Sequence, residues 1–156
     1  MSRIASKLAE LGITLPTPAA PIANYVPFVL SGQLLTISGQ LCLGPDGKLA
    51  DAHKGKLGGE ISLEAGQQAA RLCGINLLAQ AKAALGDLDR ITRVVRLGGF
   101  INSTPTYGSV PGVMNGASDL MVEVFGDLGR HARSTVGVAQ LPLDAAVEVE
   151  ALFEVA

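Results

Sequence analysis

Between Ser62 and Gly86 the chain carries one unbroken helical pattern whose inner stripe is made mostly of small residues. Ser62 offers a hydroxyl that can accept from the free amides of a first turn, and Gly86 can adopt the left-handed conformation that ends a helix. Gly66, Ala70, Cys73, Leu77, Ala81 and Ala84 recur at three- and four-residue steps between them, so they share one face. A helix with so little bulk on its inner side can approach a sheet closely.

The flanking segments supply that sheet. Arg90 to Ile101 is rich in Val, Ile and Leu and reads as a central strand, with Gly98-Gly99 as the place for a bulge. Upstream, Tyr25 to Leu30 and Gln33 to Leu41 read as an antiparallel pair turning at Ser31-Gly32. Gly44-Pro45-Asp46-Gly47 is a turn, and Lys48 to Glu60 is polar, with one further short strand at most. A second helix is predicted from about Pro111 to Phe125, stopped by Gly126, with Val113, Ala117, Leu120 and Val124 as its stripe. Ser134 to Gln140 and Ala146 to Val155 are the last strands. At the other end Ser2 caps a short helix through Leu11, with Ile4, Leu8 and Leu11 on one face. Thr14 to Pro21 follows as an extended connector containing Pro16, Pro18 and Pro21. Strands, helix, strand, helix, strands is the order of an α+β domain with two helices on one face of a sheet. Residues 1–20 are taken as a helical extension and connector, and 21–156 as the domain.

Composition narrows the function classes. The net charge is −2, there is no Trp, aromatics make up 4%, and no block of Lys or Arg occurs. A nucleic-acid groove wants clustered cations and stacking rings, so that class is disfavoured. Charged residues are only 17%, and mean hydropathy is +0.37. Such a chain has either a large core or apolar surface shielded by partner subunits, which favours a homo-oligomer. No apolar run approaches the ~18–20 residues of a membrane span, and MSRIASKLAELGI lacks the apolar core of a signal peptide. Cys42 and Cys73 lack C-x-x-C spacing and read as buried free thiols in a reducing cytoplasm. His53 and His131 are far apart and lack acidic partners at ligand spacing, so neither a metal nor a cofactor is expected.

The chemistry concentrates in the last quarter. Arg133 stands at the mouth of one strand, and Glu148, Glu150 and Glu154 alternate along the next. If Leu141 to Asp144 join these strands as a hairpin, Gln140 opposes Ala145 and Arg133 opposes Leu152. Parity then puts Glu148 on the face of Arg133, and a slip of one residue separates them. An arginine fork holding a carboxylate beside a second carboxylate that handles water could bind a small organic acid and hydrolyse it. The residues alone also allow Arg133 in an inter-subunit ion pair, the glutamates on a solvated face, and Tyr25 as a half-buried core tyrosine.

The pattern A-R-S-x-V-x-V-x-x-L-P-x-x-x-x-V-E-V-E-A, from Ala132 to Ala151, resembles the C-terminal signature of the RidA (YjgF) family. ISGQL at Ile37 to Leu41 resembles that family's second motif. The resemblance runs from about Pro21 to the C-terminus. It implies a chorismate-mutase-like domain with a mixed sheet, assembled as a homotrimer with ligand clefts between subunits. It also implies hydrolytic deamination of small reactive enamine or imine acids to 2-oxo acids and ammonia. On the matching positions, Arg133 would hold the carboxylate and Glu148 would position or activate water. Tyr25 would face the ligand, Ser38 and Gly39 would offer hydroxyl and amides, and Asn115 would be a further contact. Thr135 departs from the pattern, because the deaminase branch usually has a cysteine there. Two other functions are therefore carried: a non-catalytic small-carboxylate-binding or regulatory protein, and an endoribonuclease. The sparse aromatics and the lack of a histidine pair argue against the last.

Overall fold

The computed structural model describes residues 2–18, 20 and 23–156. The Pro21 end of the expected connector lies outside them. The small-faced helix forms as α2, Leu63–Leu85, with the Ser62 hydroxyl accepting from the Ala65 amide and Gly86 ending it at φ 78°. It lies beside α3, Val110–Phe125, which has Pro111 in its first turn and Gly126 at its stop. The two helices approach so closely that a Cβ on Gly116 would collide with the backbone carbonyl of Gln67.

Both helices cover one face of a five-stranded sheet with strand order β1-β2-β5-β3-β4. The strands are β1 Phe28–Ser31, β2 Leu34–Leu41, β3 Ile91–Asn102, β4 Ala132–Val138 and β5 Val147–Val155. Leu77, Leu97, Ile101, Met114, Leu120 and Phe153 are fully buried between the layers. Each such side chain contributes about 1.5–3 kcal/mol relative to exposure. The N-terminal helix α1, Arg3–Glu10, is tied to this body. Ile4 and Leu8 are buried, and the Asp89 carboxylate accepts from the amides of Arg3 (2.9 Å) and Ile4 (2.8 Å). Those bonds hold the Asp89 carboxyl below its ordinary range.

Three expectations change. The last two strands are not a hairpin: β4 pairs in parallel with β3, and β5 pairs antiparallel with both β3 and β2. The twelve-residue β3, the longest strand, pairs with a neighbour on each side, so the chain crosses past its end between β4 and β5. Asn102, the last residue of β3, fastens that crossing. Its amide donates to Gln140 Oε1 (3.1 Å), Asp144 Oδ1 (3.0 Å) and the Ala145 carbonyl (3.1 Å). Second, Gly98-Gly99 is not a bulge. The β3–β5 register runs unbroken from Arg96 to Ile101, and its shifts fall earlier, at Ile91/Arg93 and Val94/Arg96. The glycines make room instead, since a Cβ on Gly99 would strike the Met114 sulfur and one on Gly98 would strike Glu150. Third, Tyr25 lies in a bend ahead of β1 and outside the strand expected to begin there; Lys48 to Glu60, where one short strand at most is expected, holds a 3-10 turn and isolated bridges.

Candidate functional site

The candidate residues fall into two groups. The first surrounds a register shift in β2 between Ile37 and Gln40. Here the Ser38 amide donates to the Pro27 carbonyl (2.9 Å) and the Ser38 hydroxyl to the Val26 carbonyl (2.8 Å). These bonds pin the shifted residues to the segment before β1. Gly39 then faces β5 with nothing on its Cα, and a Cβ there would stand 2.5 Å from Glu148 Oε2. Only glycine lets the carboxylate lie this close to the β2 backbone. Burial raises the pKa of the half-buried Glu148, and the negative charge of Glu150 adds to the effect. A carboxylate so placed accepts a proton nearer neutrality than an ordinary one. Tyr25, 53% exposed, lines a cavity of about 330 Å³ together with Gly39.

The second group lies where β4 meets α3. Arg133 Nη1 donates to Asn115 Oδ1 (2.8 Å) and Ser118 Oγ (3.0 Å), and Nη2 donates to the Pro111 carbonyl (3.1 Å). Among the described residues, Nε–H and the second Nη2–H have no partner. A guanidinium held in this way still has donors for a carboxylate. His131 braces it: Nδ1 is 2.7 Å from the Gly129 carbonyl and Nε2 is 2.8 Å from the Ser118 hydroxyl. A carbonyl only accepts, so Nδ1 carries the proton, Nε2 accepts from Ser118, and the Ser118 oxygen is left to accept from Arg133. Burial and the nearby Arg133 charge both lower the His131 pKa, in keeping with that neutral form. Thr135 follows on the same strand face, and its hydroxyl is buried with no partner among the described residues. Leaving such a group unsatisfied costs about 1–3 kcal/mol.

Strand pairing separates the two groups. Leu97 on β3 is opposite both Arg133 and Ala151, whereas Phe100 is opposite both Val136 and Glu148. Paired residues share a face and neighbours alternate. Arg133 therefore lies on the helix-covered face and Glu148 on the open one. The shared face expected from a final hairpin does not occur, because β3 intervenes. Within one chain the structure gathers Ser38, Gly39 and Glu148, with Tyr25 on the wall of the cavity that Gly39 also lines, and gathers Arg133 with Asn115 and, on the same strand face, Thr135. It does not bring the two sets together. Sequence reasoning missed Ser118 and left His131 at the rim. The available signal was Ser118 one helical step after Asn115, and His131 two residues before Arg133.

The open face carries apolar side chains. Val29, Leu34 and Val136 are 53%, 44% and 49% exposed, beside an Arg96–Glu150 ion pair at 3.2 Å. Among the described residues no group of three or more His, Cys, Asp or Glu side chains is placed to hold a metal, and no helix is long and apolar enough to cross a membrane. Cys42 and Cys73 are both buried free thiols.

Residues 5–155 match the family described as "YjgF/chorismate_mutase-like, putative endoribonuclease". The chain belongs to the RidA (YjgF) family. Protein TCP17 of Trypanosoma cruzi is 52% identical to this RidA-family chain over 153 residues, covering 97% of this chain and 94% of that one. The crystal structure of Atu1372 from Agrobacterium tumefaciens, a protein of unknown function, superposes with a TM-score of 0.91. It is 48% identical and covers 99% of this chain and 93% of its own. Escherichia coli TdcF with bound serine superposes with a TM-score of 0.64 at 25% identity, covering 92% of this chain and 97% of its own. The fold is that of the family: one mixed sheet with two long helices on a single face, with the short α1 packed against it.

Proposed function

We propose that this RidA-family protein hydrolyses small 2-imino acids, or their enamine tautomers, to 2-oxo acids and ammonia, in sites completed by two copies of the chain. One observation carries this reading: the carboxylate-binding group around Arg133 and the water-handling group around Glu148 lie on opposite faces of one sheet. Neither suffices alone, and the exposed apolar residues of the open face suit burial against further copies, with a homotrimer as the expected assembly.

In this reading the unpaired edge of Arg133 receives the substrate carboxylate and fixes the adjacent C=N group. Glu148 of the neighbouring copy orients a water molecule and takes its proton as oxygen bonds to carbon. The C=N π-electrons move to nitrogen, which is protonated. The tetrahedral aminoalcohol then collapses, the C–N bond breaks and ammonia leaves. One water is consumed for each 2-oxo acid formed, and no covalent enzyme intermediate is needed, so Thr135 in place of a thiol does not block the chemistry. Support for a small amino-acid-like ligand comes from the relative TdcF, whose structure holds serine.

The test couples the protein to an amino-acid oxidase that makes the imine in solution. Wild type should accelerate 2-oxo acid release, while Arg133→Ala and Glu148→Gln should each be nearly inactive. Dissociated, mixed in equal amounts and reassembled, the two variants should regain about a quarter of wild-type activity, because about one shared site in four would then have both groups intact. No acceleration by wild type would sink the deaminase reading, and no recovery on mixing would sink the shared site. Binding of 2-oxo acids without turnover would favour the non-catalytic reading, which the unpartnered Thr135 hydroxyl also supports as a ligand contact.

A further inference from the structure

The cavity beside Gly39 contributes nothing to the chemistry above. Its volume is about 330 Å³, and its walls include Pro16 and Thr17 of the N-terminal connector, Tyr25, Leu41, Leu43 and Leu143. Among the described residues no charged side chain lines it. Two of its polar walls are already committed. The Gln40 amide donates to the Ser38 carbonyl (3.0 Å), and the Asn76 amide donates to the carbonyls of Leu41 (3.1 Å) and Leu43 (3.0 Å). An uncharged, mainly apolar group is what such a space accepts. A cavity of about 150 Å³ holds benzene, so this one has room for a branched aliphatic or aromatic side chain.

Leu143 forms one wall in an unusual way. It sits at φ 60°, ψ 15°, a left-handed conformation that disfavours a residue with a Cβ. Asp144 beside it has φ 59°. Asp144 clamps this turn, accepting from Asn102 at its carboxylate (3.0 Å) and from the Gly55 amide at its carbonyl (2.8 Å). The clamp holds the Leu143 side chain 68% exposed, where it adds little to the core. The strained turn so fastened presents an exposed apolar side chain at the cavity wall.

Building on the deaminase reading, we propose that this cavity takes the substrate side chain, with Leu143 and the connector at Thr17 setting its size. The preferred substrates are 2-imino acids with branched aliphatic or aromatic side chains, ahead of the alanine-derived imine. Gly39 borders both, since its bare Cα faces the Glu148 carboxylate, which an added Cβ would strike, and Gly39 also lines the cavity.

The experiment compares kcat/KM for imines generated from leucine, phenylalanine and alanine. Wild type should favour the leucine-derived imine over the alanine-derived one by roughly tenfold or more, the scale expected when an apolar pocket is filled or left empty. Leu143→Trp, and independently Thr17→Trp from the opposite wall, should each cut that ratio about tenfold. Equal preference in wild type, or a ratio unchanged in both variants, overturns the proposal. Calorimetric binding of 4-methyl-2-oxopentanoate against pyruvate reads the cavity without turnover. Size-selective binding without hydrolysis would sink the deaminase reading and support the cavity. Hydrolysis without size selectivity would sink the cavity alone.

Discussion

The two halves of the proposed site are built on opposite plans. Around Gly39 the backbone does the placing: a register shift, two hydrogen bonds from Ser38 and an absent Cβ bring a partly desolvated carboxylate against β2. Around Arg133 side chains do the placing: Asn115, Ser118 and His131 brace a planar guanidinium fork. The difference follows from the tasks. A group that moves a proton needs a tuned pKa, which burial supplies. A group that holds an anion needs fixed direction, which a hydrogen-bonded fork supplies.

Removing the anion holder should have the largest effect. Arg133→Ala should lower kcat/KM roughly a thousandfold, and Arg133→Lys should restore little of it, because a point charge does not replace the fork. Near-wild-type kinetics in the alanine variant would break the comparison outright.

Next comes the proton handler. Glu148→Gln should reduce kcat roughly a hundredfold with a smaller change in KM. The wild-type pH profile should lose activity on its acid side above the ordinary carboxylate range, because the Glu148 pKa is raised. The stability sign is the reverse of a salt-bridged acid. With the folded pKa above the unfolded value of about 4.3, Glu148 favours the fold below that value and loses the contribution as pH rises through the folded pKa. Glu148→Gln should therefore be more stable than wild type at pH 7 and equal to it in acid, as read by denaturant melts at each pH.

A smaller effect tests backbone placement. Gly39→Ala should push the Glu148 carboxylate aside and cost about tenfold in kcat, with little loss of stability because a flexible side chain yields. An unchanged kcat would mean that the contact does not position Glu148. Smallest is Thr135→Val, which removes a buried hydroxyl without a partner and should stabilise the fold by about 1 kcal/mol. If that hydroxyl serves the ligand, the same variant should bind 2-oxo acids more weakly, a trade of stability for affinity visible in paired melting and calorimetry.

Local signals were legible. Ser62 and Gly86 bound α2, Ser2 caps α1, and Gly126 stops α3, because caps and stops depend on neighbouring residues alone. The motif residues were also found at the right strands. Ser118 was not, because a serine in a helix gains meaning only from the arginine that packs against it. Gly98-Gly99 suggested a bulge for want of knowing that Met114 and Glu150 needed the space.

By itself the sequence determined which segments become helix or strand and which residues alternate on each, since both follow from local periodicity. Only the tertiary structure decided that β3 lies between β4 and β5, and so that Arg133 and Glu148 face opposite ways. Parity is a property of one strand, whereas a shared face depends on which strands pair. That choice is made by the pairing of whole strands across the sheet, an energy that no single segment carries.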